Sequence, residues 1–126
     1  MKYEVTVSRE GKWWVAVVNG VNGAATEVTQ LSDLEIEVRD LLAGLLDADE
    51  DDFDLDWDLS SVVGAKGQAA WEAFVKERKE LAAMKERFDS NRIATLQALH
   101  QAGVSTRDSA ALMDISHQRV HQLINA

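Results

Sequence analysis

Apolar and polar residues alternate from Lys2 to Arg9. Tyr3, Val5 and Val7 fall on one side, Glu4, Thr6 and Ser8 on the other. A period of two is the signature of a strand with one buried face. Glu10-Gly11 signals a turn, and the β-branched and aromatic run Trp13–Val18 predicts a second, more deeply buried strand, so the pair reads as a β-hairpin. Asn19-Gly20 and Asn22-Gly23 mark turns, and Ala24–Thr29 reads as a short third strand.

The period then changes. Leu34, Val38, Leu41, Leu42, Leu45 and Leu46 recur at helical spacing and predict a helix packed on the hairpin. Ser32 with Glu35 predicts a capping box at its start, and Leu31 with Ile36 a hydrophobic staple. Asp47–Asp52 is expected to be an acidic loop. After it Phe53, Leu55, Trp57 and Leu59 alternate with Asp54, Asp56 and Asp58, a last strand with its aspartates outward. The expected unit is β-β-(β)-α-β over roughly residues 1–60, an antiparallel sheet with one packed helix.

The small-residue stretch Val63–Gly67 reads as a hinge. Gln68–Phe88, rich in Ala, Glu and Lys, predicts a long connecting helix with Trp71, Phe74, Val75, Leu81, Ala82, Met84 and Phe88 as its apolar residues. The 74, 81, 88 spacing is a heptad, but Arg78 and Lys85 interrupt the seam, so a connecting helix with one sticky face and a dimerisation helix both stay open. From Asp89 three short helices are expected. Ser90 or Asn91 caps the first, with Ile93, Leu96 and Leu99 inward and Gly103 at its end. Ser105 caps Thr106–Met113, Asp114-Ile115 turns, and Ser116 caps His117–Asn125. Three segments follow: an acidic α+β domain over 1–63, a hinge and connecting helix over 64–88, and an all-α domain over 89–126.

Composition changes this picture through charge. The net charge is −9, yet residues 1–64 hold four basic and fifteen acidic residues, a net of −11, while residues 65–126 hold nine basic and seven acidic, a net of +2. The first half would be repelled by phosphate and suits a basic partner; the second could approach nucleic acid. No apolar run reaches the roughly 20 residues of a membrane span, and no signal core opens the chain, so a cytoplasmic protein is expected. Without cysteine, disulfides and thiolate metal sites are excluded.

The stretch GVSTRDSAALMDISHQRVHQLI, Gly103–Ile124, resembles the helix-turn-helix of bacterial repressors and sigma-factor-type DNA readers. That motif places a small residue inside its second helix, here Ala110, a residue tolerant of positive φ in its turn, here Asp114, and a branched residue in its third helix, here Val120. Ile115, Leu123 and Leu112 are expected to complete the core. The resemblance implies a third helix whose N-terminal turn enters the major groove. Ser116, His117, Gln118, Arg119, His121 and Gln122 would be exposed there, with His117, Gln118 and Gln122 aimed at base edges. Arg119, Thr106 and Arg107 would take phosphates. No acidic residue occurs from Ser116 to Ala126, unlike the Glu–Lys pattern of an idle surface helix, although residues 90–126 carry a net charge of only +1. Two copies reading half-sites about 34 Å apart would compensate.

The opening YEVTVSREGKWWVAVV, Tyr3–Val18, the turn at Asn22-Gly23 with Thr26, and Leu31-Ser32-Asp33-Leu34, followed by a linker and a DNA-reading module, resemble the HicB family of antitoxins. The resemblance implies a partial double-stranded-RNA-binding fold, a small basic RNase toxin of the HicA type as partner, and repression of the chain's own operon. Asp49, Asp51, Asp52, Asp54, Asp56 and Asp58 would then face the toxin. A stand-alone transcription regulator whose first domain only oligomerises is the alternative.

Other chemistry is thin. Asp47, Asp49, Asp51 and Asp58 fit an EF-hand count, but Asp52 replaces the required glycine and Asp58 the final glutamate. His117 and His121 stand at i, i+4 without an evident third metal ligand, and His100 is expected to be partly buried. No catalytic constellation, phosphate loop or cofactor motif is found, so an enzyme is not expected. Trp13, Trp14, Trp57 and Trp71 read as core, with one of the first two facing outward.

Overall fold

The computed structural model describes residues 1–125. Among them the order is β1 (Lys2–Glu10), β2 (Trp13–Val18), β3 (Ala25–Val28), a 3-10 turn (Leu31–Asp33), α1 (Leu34–Leu46), a second 3-10 turn (Glu50–Asp52), β4 (Asp54–Asp58), α2 (Ser60–Gln101), α3 (Thr106–Met113) and α4 (His117–Ile124). The architecture is α+β. Contacts divide the chain into two compact units, one of residues 1–74 and one beginning at Val75. No helix of the described residues is long and apolar enough to cross a membrane.

The sheet has the order β3-β2-β1-β4. β1 and β2 form the hairpin, pairing Val5 with Val18 and Val7 with Ala16, and β3 continues it antiparallel to β2. The expected all-antiparallel sheet is corrected at β4, which runs parallel to β1 with Tyr3 opposite Leu55 and Val5 opposite Trp57. A tight turn can only reverse the chain, whereas a helical crossover carries it past two strands to add a parallel neighbour. α1 is that crossover.

Alternation decides which residues are inside. Val5, Val7, Ala16, Val18, Ala24 and Phe53 pack with Leu34, Val38 and Leu42 of α1 as one buried cluster. β2 is buried on one face only, since Trp13 and Val17 are exposed, contrary to its continuous apolar reading. The predicted cap of α1 is also corrected. Ser32 lies inside the 3-10 turn, Asp33 is the N-cap without a side-chain bond, and the Asp33 N–H donates to Gln30 instead. The Glu35 carboxylate that a capping box would use accepts from Arg39 at 3.2 Å. Leu31 and Ile36 remain 47% and 65% exposed, so no staple buries them. Leu45 and Leu46, expected on the buried face, are exposed.

Val63–Gly67, read as a hinge, contains the one break in α2. It is helical except at Gly64, whose φ of 77° and ψ of 177° interrupt α2. That conformation is closed to residues with a Cβ at ordinary cost. The kink brings Val63 onto Gly67, where an added Cβ would lie 2.5 Å from that of Val63. Beyond it α2 runs without a break to Gln101, straight through Asp89, Ser90 and Asn91, so the helix start expected there does not exist. Mid-helix, Asp89 pairs with Arg92 at 3.1 Å, and the Thr95 hydroxyl donates to the Asn91 carbonyl. These groups find partners without ending the helix.

Two side chains fix the start of α2 on the sheet. The Ser61 hydroxyl donates to the Val7 carbonyl at 2.7 Å. The Gln68 amide donates to the Trp57 carbonyl at 3.0 Å and its oxygen accepts from the Leu59 N–H at 2.6 Å. A side-chain amide thus stands where another strand would pair with β4.

Candidate functional site

The second unit is organised around three helical pieces. Gly103, at φ 82°, closes α2, with its N–H donating to His100 and that of Val104 to Leu99, both at 3.0 Å. The expected glycine stop is in place. Ser105 caps α3 by accepting from the Asp108 N–H at 3.1 Å, and Ser116 caps α4 by accepting from the Arg119 N–H at 3.0 Å. Each hydroxyl satisfies one amide that the first helical turn leaves without a partner.

Between these helices Asp114 adopts φ 55° and ψ 45°, and its N–H bonds back to Ala110. The turn therefore reverses within a few residues. Ala110 is 8% exposed, and Val120 and Leu96 are fully buried around it. Met113, Ile115, Leu123 and Ile124 pack on this cluster. Ser109 is buried too, a small residue beside Ala110 that the sequence reading did not single out. Leu112 is corrected: it is 71% exposed, on the opposite side of α3 from Ala110. Ile93 is exposed rather than inward, and His100 is exposed rather than partly buried.

Ser116, His117, Gln118, Arg119, His121 and Gln122 are all exposed in this unit. Arg119 donates to the Gln122 oxygen at 3.2 Å, and the His117 and His121 rings lie 4.9 Å apart at 78°. Arg107 is exposed and Thr106 half-buried on the first turn of α3. Burial of Val120 and Leu123 fixes the rotation of α4, which turns the His and Gln side chains outward.

The six aspartates expected to face a toxin lie on or beside two successive elements of the first unit, a 3-10 turn and β4. Asp49, Asp51 and Asp52 belong to the 3-10 turn, where Asp49 accepts from the Asp51 N–H and Asp52 from the Asp49 N–H. Asp54, Asp56 and Asp58 share one sheet face, opposite Lys2, Glu4 and Thr6 of β1. Asp56 pairs with Lys2 at 3.3 Å. Asp58 accepts from both the hydroxyl and the N–H of Ser60, which hold its carboxyl below the ordinary 3.8. Glu4, paired across from Asp56, adds a carboxylate that only strand register could reveal. Among the described residues no group of three or more His, Asp or Glu side chains is placed to hold a metal ion.

A scan against protein-family models found no match, and comparisons with curated proteins and with solved structures found none either.

Proposed function

We propose that this chain is a DNA-binding transcription regulator in which α3 and α4 act as a helix-turn-helix and α4 reads the major groove. The observation carrying the reading is the exposure of His117, Gln118 and Gln122 on the first turns of a capped helix free of acidic side chains. Gln can pair bidentately with adenine, and neutral His can donate or accept at purine edges. Arg107, Thr106 and Arg119 flank that turn and suit phosphates. A single copy offers few cations, so two copies on paired half-sites would bind more firmly. Leu81, Met84 and Phe88, exposed at near-heptad spacing on α2, offer a surface for the second copy.

In its fuller form the proposal is an antitoxin and autorepressor of the HicB type, whose acidic first unit seats a small basic toxin. The charge supports it: residues 1–74 hold five basic and sixteen acidic residues. A specific observation favours the alternative, a stand-alone regulator. Asp49, Asp52, Asp56 and Asp58 already bond within their own unit.

A gel-shift series tests the DNA reading. The chain should bind the promoter of its own gene with steep salt dependence, and Gln118→Ala should lose about 1–3 kcal/mol of discrimination against random DNA. Equal binding of promoter and random DNA by both proteins would refute it. Co-purification with a small basic protein encoded beside the gene separates antitoxin from stand-alone regulator.

A further inference from the structure

We infer that His117 and His121 form a bidentate site for one divalent transition-metal ion, and that filling it takes both imidazoles away from DNA. The chelation stands on geometry alone; its consequence rests on the DNA reading proposed above.

The rings lie on successive turns of α4, on one face, with centroids 4.9 Å apart. A metal held at 2.0–2.1 Å by two imidazole nitrogens, at an angle between square and tetrahedral, puts ring centroids roughly 4.5–5.2 Å apart. The observed separation falls within that window. The rings stand at 78° to each other, and both side chains are exposed and have room to rotate toward a shared ion. Water would complete the coordination.

The ligand set also selects the metal. No carboxylate lies on α4 or in the turn after Asp114, so hard ions such as Mg2+ and Ca2+ find no oxygen cage. Imidazole pairs suit Zn2+, Ni2+ and Cu2+. A ring nitrogen bound to metal cannot accept from a base edge, and rings turned toward a shared ion no longer point into a groove. Occupancy should thus lower preference for promoter over random DNA, while the added positive charge sustains non-specific binding.

The test uses the full chain without a histidine tag, in buffer free of imidazole and chelators. Zn2+ and Ni2+ are titrated while the imidazole resonances are followed, with His100 as internal control and Mg2+ as control ion. One ion per chain should perturb His117 and His121 and leave His100 unmoved. His117→Ala and His121→Gln should each weaken binding by about a hundredfold, because one imidazole loses the gain of its tethered neighbour. An unshifted Val120 amide shows that each variant stays folded. Equal shifts at all three histidines, or single variants that bind as well as wild type, would overturn the site. Promoter preference that falls with Zn2+ in wild type and not in His121→Gln supports the consequence, and preference unchanged by bound Zn2+ overturns it. Site-specific chelation by a chain that binds no promoter DNA would uphold the metal site and discard the DNA reading.

Discussion

Asp114 closes α3 onto Ala110 from a left-handed conformation. Its N–H donates to the Ala110 carbonyl at φ 55°, and the Ile115 N–H reaches the same oxygen at 3.1 Å. The small residue that lets the helices cross also receives the bonds that turn the chain between them. Asp tolerates this conformation better than most residues, Gly best, and β-branched residues poorly. Asp114→Val should therefore destabilise the unit by about 1–2 kcal/mol. Asp114→Gly should leave stability within about 1 kcal/mol of wild type. Exchange of the Val120 amide, bonded to the Ser116 carbonyl, reads both locally.

Gln68 is the second place where one side chain governs an element. It satisfies the Trp57 carbonyl and the Leu59 N–H at the outer edge of β4. Gln68→Ala should cost about 1–3 kcal/mol, two backbone groups losing partners at once. Faster exchange of the Leu59 amide and a greater tendency to self-associate should accompany the loss, since an open edge is a template for pairing. Gln68→Glu keeps the acceptor but loses the donor, and should protect Leu59 while leaving the Trp57 carbonyl unpaired.

Asp58 predicts an acid response. Its carboxyl is held below 3.8 by the Ser60 hydroxyl and N–H. A depressed folded-state value means that the stabilisation is present in full above the ordinary value and is lost as pH falls through the folded one. The Ser60 amide should keep its protected position near neutral pH and lose it only below pH about 4. Asp58→Ala should remove that transition and expose the Ser60 amide at every pH.

On DNA, Arg107→Gln and Arg119→Gln should each lower the slope of log affinity against log salt by about 1, weakening promoter and random DNA alike. A change in base preference instead would mean that these arginines reach into the groove.

Local chemistry made much of this molecule legible. Alternation placed β1 and β4, because side chains on a strand change face at every residue, and a β-branched and aromatic run placed β2. Ser105, Ser116, Gly103 and Asp114 announced the helix ends of the second unit, since capping and left-handed backbone depend on the residue itself. Ala110 and Val120 were readable as core because a tight crossing requires a small residue and a branched one. Where a reading depended on neighbours it failed. Only the crossover through α1 made β4 parallel, only packing left Leu112 and His100 in water, and only the Arg39 contact drew Glu35 away from Ser32. Asp89, Ser90 and Asn91 resemble a helix start, yet α2 passes through them, with Asp89 paired to Arg92 and Ser90 and Asn91 exposed to water. The His117–His121 pair was visible from its i, i+4 spacing, whereas Glu4 beside Asp56 belongs to tertiary structure, where the distance between side chains is set by strand register rather than by residue type.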